Sequence, residues 1–457
     1  MSYSKSIFFI PVWFNDFAQF TKELDEMPIW KIASYKKLWV KYLYNYASSL
    51  TKTERRNRAE PEETRTPAPA EPAKTKPAPG KNKIKTMGRR KEDVFAHYIL
   101  RDVSSLDPYM YADVLQLKHT PKLEEVRFSC FATGVGFLEF WVSYQDMTAE
   151  EIAGFAYHFK KARGAGGAHR RKLPEGQKLL YNVASSLLPE SIDARLFFAA
   201  ADKVKSECNC FHYIHLDEAI PDEETRRSTL YRLSRSYLPT MPVAGGSEYD
   251  MIYEAGEGDY WCGSPEGLAN IVYDYKDHKP GDPDDYYLHR LKPESMENDY
   301  YFMYLLLLNQ KYAAVQYINT VSLSLERSFA DVEDLSRRIV QLKNMFSFNV
   351  ISDDSVVQNV YSKMYRIMEI KSLLDDVIDN EEQVDYLQNA KRARAEGRIN
   401  VVLCGLSLLT VFSTTLDLAS FLDRGIENFR FNTVTSFLGV SAIVAFFVYK
   451  AISSGKK

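Results

Sequence analysis

Two long uncharged runs near the C-terminus constrain the fold of this 457-residue chain more than any other feature. Residues 399–416 and residues 431–449 contain no charged side chain, and each run approaches the roughly 20 residues that cross the hydrocarbon core of a membrane. A pair of buried core helices is the alternative interpretation, but only a short polar link joins the two runs. The sequence therefore predicts a two-helix transmembrane hairpin over residues 399–450.

Charges around the hairpin predict its orientation. Basic residues precede the first run and follow the second, whereas the link between the runs is charge-balanced. By the positive-inside rule both ends then face the cytoplasm. We also expect no N-terminal signal peptide, and the five cysteines have no regular spacing. We therefore expect a multi-pass protein of the cell inner membrane, with the lipid bilayer as a partner and both termini cytoplasmic.

One face of the first run is polar. Its side chains recur at helical spacings of three, four and seven: Asn400, Cys404, Ser407, Thr410, Thr414 and Asp417. In lipid such a face is unfavourable unless it meets water or another helix, so it predicts either the lining of a pore or helix-to-helix hydrogen bonding. In a symmetric oligomer Asp417 would form a carboxylate ring that attracts cations; a carboxylate solvated at the membrane interface is the alternative.

The residues before the hairpin predict a helical stalk, residues 298–398. Apolar residues recur at spacings of three and four in residues 298–346 and 352–396, as in amphipathic helices. A Ser-Asp-Asp sequence at residues 352–354 indicates an N-cap with acids in the first turn. Because no proline interrupts residues 352–416, we expect the last stalk helix to continue into the hairpin.

The rest of the chain predicts a cytosolic sensor domain of the α+β or α/β class, residues 1–50 and 93–297. A Pro/Ala/Lys-rich insertion, residues 51–92, divides this domain and is expected to be disordered. Its basic excess could contact anionic lipid or nucleic acid, but a solvated insertion is the more ordinary interpretation, and we expect no direct nucleic-acid binding.

Alternating and periodic apolar patterns place several elements in this domain. Strands are predicted over residues 6–12 and 94–101, and a hairpin over residues 126–130 and 136–142. A helix is predicted over residues 148–162, because Thr148 and Glu151 have the spacing of a capping box.

Two stretches could bind a nucleotide. A glycine-rich loop carries His169, Arg170, Arg171 and Lys172, which suits phosphate, although the loop lacks the P-loop pattern and a basic surface loop is the alternative. Tyr260 and Trp261, in a glycine-rich stretch, could stack a base, and a packed cover is the alternative there.

Metal binding and catalysis have weaker signals. Cys208, Cys210, His212 and His215 are close in sequence, but on a strand the first three share one face and His215 points to the other. Tetrahedral zinc ligation by this set is therefore awkward, and the metal ligands stay unknown. No nucleophile with an adjacent base is recognisable, so we expect a protein that is not an enzyme.

The predicted arrangement of an α/β domain, a stalk and a two-span hairpin resembles the CorA family of divalent-cation channels. The Gly-Met-Asn signature of that family is missing, since residues 413–418 read STTLDL. The stretches YYFMYLLLLNQ at residues 300–310 and GVGFL at residues 134–138 are similar to a divergent CorA-like group that includes membrane effectors of type III CRISPR systems.

This resemblance implies a homo-oligomeric membrane channel or effector in antiphage defence. Its activator would be an adenine-containing nucleotide second messenger, bound through the basic loop and an aromatic ring, and its output would be permeabilisation of the membrane. A magnesium transporter with an altered filter, which would bind Mg²⁺, is one alternative. A membrane-anchored scaffold that does not conduct is the other.

Overall fold

A mixed β-sheet lies at the centre of the fold. The computed structural model describes residues 3–33, 94–104, 106, 121–161, 187–189, 195–196, 199–200, 203–204, 208–243, 252–274, 286–324, 337–340, 342–346, 348 and 350–424. The chain divides into two units, Met1–Val377 and Ile378–Lys457. The sheet and the helices that cover it belong to the first unit.

The strands are numbered in chain order. Their bounds are β1 Ser4–Trp13, β2 Trp30–Ile32, β3 Phe95–Leu100, β4 Lys122–Phe131, β5 Val135–Tyr144, β6 Arg195–Leu196, β7 Ala199–Ala200, β8 Lys203–Val204, β9 Asn209–Leu216, β10 Ile252–Gly256, β11 Asp259–Ser264 and β12 Gly267–Tyr273. Nine of these described strands follow the order β10-β11-β12-β9-β1-β5-β4-β3-β2. Strand β6 pairs with the end of β1, and β7 and β8 form a separate ribbon.

Strand β9 changes the direction of pairing within the sheet. It pairs antiparallel with β1 and parallel with β12, so that His215 lies opposite Val272. The carboxyl ends of β9 and β12 therefore meet at the same edge of the sheet, a place where mixed and parallel sheets commonly bind ligands.

Three helices cover one face of the sheet: α1 Phe17–Glu26, α2 Ala149–Lys161 and α3 Glu223–Arg235. Phe8 of β1 packs against Phe159 of α2, with ring centroids 4.3 Å apart, and both rings are buried. Full burial of one such side chain contributes about 1.5–3 kcal/mol to folding. Alternation along the strands directs these apolar rings to the helices and forms the main core.

A second helical layer covers the other face. It begins with the π-helical turn π1 Tyr287–Leu291, continues through α4 Lys292–Ser295 and π2 Met296–Tyr300, and ends with α5 Tyr301–Ser324. Residues 301–308 of α5 are all fully buried. A helix that is apolar on every side is stable only when it is enclosed, which explains why α5 lies against the sheet.

A buried hydrogen-bond network joins α5 to the sheet around Glu139 of β5. Its carboxylate accepts hydrogen bonds from the Ser129 hydroxyl at 2.6 Å and the Tyr301 hydroxyl at 2.7 Å, and a longer one from Trp141 at 3.3 Å. The Arg127 guanidinium lies 3.6 Å from the centre of the Trp141 ring. Burial raises the pKa of Glu139, although these hydrogen bonds and the Arg127 charge oppose the rise.

The last described helices are α6 Ser355–Ile367 and α7 Ile370–Arg424, which follow the short turn π3 Leu342–Phe346. Asp354 caps α6 by accepting hydrogen bonds from the backbone of Val356 and Val357. The predicted continuous helix from residue 352 is interrupted at Glu369, whose φ of +54° is left-handed.

Several predicted elements are confirmed. The predicted strands over residues 6–12 and 94–101 correspond to β1 and β3, and the predicted hairpin corresponds to β4 and β5. The capping box at α2 is present, because Thr148 and Glu151 exchange hydrogen bonds between side chain and backbone. The predicted insertion, residues 51–92, lies outside the described residues.

The predicted C-terminal transmembrane hairpin is wrong, and so is the fold class that included it. Within the described ranges, no helix has both the length and the apolar character needed to cross a membrane. The first predicted span lies in the interior of α7, whose described residues include no apolar stretch long enough to cross a membrane.

The second predicted span, residues 431–449, lies outside the described residues. The predicted multi-pass location in the inner membrane, with both termini cytoplasmic, depended on the hairpin and is wrong with it.

Candidate metal centre

Three side chains that can bind a metal ion converge at the carboxyl ends of β9 and β12. His215 is near the end of β9, Asp274 directly follows β12, and His289 lies in π1. The Nε2 atom of His215 lies 2.9 Å from Asp274 Oδ1, and Nε2 of His289 lies 3.5 Å from the same oxygen. All three ligand atoms lie within 4.8 Å of one another.

The local sequence explains why each side chain reaches this point. Alternation along β9 places His215 on the face that π1 covers, and the Ser4 hydroxyl fixes its backbone through hydrogen bonds with both its amide and its carbonyl group. The rings of His215 and His289 meet edge to face, with centroids 4.8 Å apart. Short π-helical segments such as π1 occur frequently at functional sites.

The charge state of His215 suits metal binding. Burial lowers the pKa of His215, and the hydrogen bond and charge of Asp274 only partly oppose this shift. The imidazole is therefore neutral at pH 7, which leaves a nitrogen lone pair for a metal ion.

The separations of the donor atoms match a small coordination sphere. Zinc binds imidazole nitrogen and carboxylate oxygen at about 2.0–2.2 Å, so two tetrahedral ligands lie about 3.3–3.5 Å apart. The two observed separations from histidine nitrogen to Asp274 oxygen, 2.9 and 3.5 Å, require shifts of a few tenths of an ångström, and the two imidazole nitrogens lie within 4.8 Å of each other. Two imidazoles and a carboxylate favour zinc and its transition-metal neighbours, whereas Mg²⁺ prefers oxygen donors and water.

The site is open on one side. The His215 side chain is 1% exposed, but those of Asp274 and His289 are 26% and 34% exposed. Three protein ligands with a solvent-facing position leave room for a water molecule or a further ligand on the metal ion. Nδ1 of His215 is buried without a hydrogen-bond partner among the described residues. Second-shell partners raise affinity, so we expect binding weaker than at fully supported zinc sites.

A second polar cluster lies on the opposite face of β9. His212 shares a hydrogen bond of 2.6 Å with Ser6, and the Ser236 hydroxyl lies 3.4 Å from the Cys210 sulfur. Burial alone would raise the pKa of Cys210, but the Cys208 hydrogen bond and the charges of Lys160 and His212 hold it well below its usual value. Because Cys210 and His212 are fully buried, no substrate reaches this thiol.

The structure describes only the two aromatic residues of the predicted nucleotide site. Tyr260 and Trp261 point to opposite faces of β11. Other side chains of the protein already pack against both rings. The Arg226 guanidinium lies 4.2 Å from the Tyr260 ring centre, and the Trp261 ring packs against Tyr300 with centroids 4.7 Å apart. The basic residues His169, Arg170, Arg171 and Lys172 lie outside the described residues.

The predicted pore-lining residues all lie on α7. The hydroxyls of Ser407, Thr410 and Thr414 donate hydrogen bonds to backbone carbonyls of their own helix three or four residues earlier. Asn400 and Cys404 are exposed, as are apolar neighbours such as Val401. Asp417 lies in α7 as well.

Sequence reasoning did not identify the three candidate ligands, since it considered His215 only with Cys208, Cys210 and His212. Asp274 and His289 have no motif spacing relative to His215, since Asp274 is 59 residues away. The available signal was position, because Asp274 directly follows one apolar strand and His215 lies near the end of another. This position indicates a shared site only when β9 and β12 are known to be parallel neighbours in the sheet.

No protein-family model, curated protein or solved structure matches this chain. The resemblance to CorA-like proteins therefore remains a prediction from the sequence.

Proposed function

We propose that this protein is a regulatory metal-binding protein that takes up one divalent transition-metal ion of the zinc class at His215, Asp274 and His289. The observation that carries the proposal is the convergence of three ligand atoms within 4.8 Å from three separate elements. His215 belongs to the sheet, Asp274 directly follows β12 and His289 lies in π1, so the ion would fasten the second helical layer to the sheet.

The proposal keeps the expectation of a ligand-responsive protein that is not an enzyme, with a metal ion as the ligand. The expected channel, transporter and scaffold functions all depended on the transmembrane hairpin. Without the hairpin they lose the feature that favoured them, and none of them is part of the proposal.

Competition with a chromophoric zinc chelator tests the site. We expect one zinc ion per chain, and an affinity at least 100-fold lower in His289→Ala. The matched control is His158→Ala, because His158 is a half-buried histidine of α2 outside the site. Absence of stoichiometric binding, or equal affinities of wild type and His289→Ala, would contradict the proposal.

The same loss of affinity has a calculable effect on stability. At a free zinc concentration 100 times the dissociation constant, binding stabilises the folded state by about 2.7 kcal/mol. A 100-fold weaker variant gains only about 0.4 kcal/mol at that concentration. Chemical unfolding with zinc and with a chelator measures this difference for both variants.

The regulatory role has its own readout. If the ion fastens π1 to the sheet, zinc slows amide hydrogen exchange in π1 and α4 of the wild type and leaves exchange in α2 unchanged. Equal exchange in π1 with and without bound zinc would reduce the proposal to metal binding without a regulatory role.

A further inference from the structure

A cleft of about 340 Å³ opens at the edge of the sheet, between β2, the end of β3 and the start of β4. Its volume falls in the range of small-molecule sites, which is about 300–1,000 Å³. The pairing of β4 with β5 shifts register between Leu123 and Glu125 next to this cleft. Bulges of this kind redirect side chains and are common beside functional sites.

The acidic side chains of the cleft already have cationic partners. The carboxylate of Glu124 lies 2.7 Å from the Lys5 ammonium group, and that of Glu125 lies 2.8 Å from Nε of Arg127. Both acids are therefore paired within the protein, although Lys5 also pairs with Glu297.

Among the described residues, the basic side chains of the cleft are not paired in this way. Lys31 and Arg101 line it, and within the described part of the chain neither has a carboxylate partner. The Nε–H group of Arg101 donates to the Trp30 carbonyl at 3.2 Å, which anchors the guanidinium group at the rim. The cleft consequently presents two cationic groups that an anionic ligand can pair with.

Apolar side chains complete the lining. Ile32, Ile99 and Val103 border the cleft, and Ile32 is 45% exposed. Burial of apolar surface from a ligand against these side chains would strengthen binding. An apolar wall beside two cations without carboxylate partners favours a ligand that has an acidic group on an apolar body.

We propose that this cleft binds a small organic anion. Arg101 would hold the acidic group with its planar guanidinium, which matches carboxylate and phosphate oxygens, and Lys31 would add a second positive charge. Ile32 and Ile99 would contact the apolar body of the ligand. This site is separate from the metal centre and does not depend on it.

Three fluorescent naphthalene probes test the proposal on the full chain. 1-Naphthoate and 1-naphthyl phosphate carry the two acidic groups, and 1-naphthamide is the neutral match. We expect at least one of the two anions to bind at least tenfold more tightly than the amide. Whichever anion binds more tightly identifies the acidic group that the cleft prefers. Chelation of metal ions should leave this binding unchanged.

Variants locate the binding site. Arg101→Gln and Lys31→Gln should each weaken binding of the anion at least tenfold, because each removes one positive charge. The control is Lys22→Gln, an exposed lysine of α1 outside the cleft, which should leave binding unchanged. Equal binding of the amide, no anion binding at millimolar concentration, or undiminished binding by both cleft variants would overturn the proposal.

Discussion

Replacement of Tyr301 by phenylalanine tests the buried network that joins α5 to the sheet. The change removes the hydroxyl that donates to Glu139 at 2.7 Å and keeps the ring that packs against Trp141. A hydrogen bond to a charged group contributes about 1.5–3 kcal/mol and one between neutral groups about 0.5–1.5 kcal/mol. The expected loss of stability therefore depends on the charge of Glu139.

The dependence on pH has a definite sign. Burial raises the pKa of Glu139 above its ordinary value of 4.5, so the folded carboxyl keeps its proton to higher pH than an exposed glutamate does. We expect Tyr301→Phe to lower the free energy of unfolding by about 1 kcal/mol while the Glu139 carboxyl is protonated. As pH rises through the raised pKa, the carboxylate forms and the loss grows to about 2 kcal/mol.

Unfolding by guanidinium, followed by tryptophan fluorescence, measures both values. Tyr213→Phe is the matched control, because the hydroxyl of this buried tyrosine has no hydrogen-bond partner among the described residues. The control should change stability by less than about 0.5 kcal/mol below and above the raised pKa of Glu139. A loss for Tyr301→Phe no greater than that of the control would refute the role of the network.

Three further changes have defined outcomes. Glu139→Gln should flatten the fall in stability that the wild type shows between pH 4.5 and the raised pKa of Glu139, and parallel unfolding curves would contradict this. Gly134→Ala should lower the free energy of unfolding by more than about 1 kcal/mol, because φ is +87° and the new Cβ would lie 2.9 Å from the Phe14 carbonyl oxygen. An unchanged melting temperature would contradict this prediction. Asp354→Ala should lower the free energy of unfolding by about 1 kcal/mol and Asp354→Asn by much less, because only alanine removes the side chain that caps α6. Thermal unfolding of both variants tests this, and equal losses for the two would contradict it.

Local sequence patterns predicted the elements that are stabilised by residues close together in the chain. β4 and β5 alternate and flank a short turn, and the capping box at Thr148 was visible in the sequence. The cap predicted at residues 352–354 was only partly right, because Asp354 caps α6 and no acid lies in its first turn. In each case the residues that determine the element are neighbours in the chain.

Local sequence patterns could not predict the second helical layer or the candidate metal centre. Residues 301–324 were assigned to a stalk, but the structure places α5 against the sheet, where its uniformly apolar surface is buried. The metal ligands meet because β9 and β12 pair in parallel, a contact between distant segments. The same limit applies to residues 399–416, where missing charges alone predicted a span.

X-ray absorption at the zinc edge tests the metal centre most directly. For the zinc-loaded protein, the account predicts only nitrogen and oxygen donors at about 2.0–2.2 Å, with the outer-shell scattering of two imidazoles. In His289→Ala one imidazole contribution should disappear. Sulfur donors at about 2.3 Å would instead place the ion on cysteines such as Cys208 and Cys210, and would contradict the assignment to His215, Asp274 and His289.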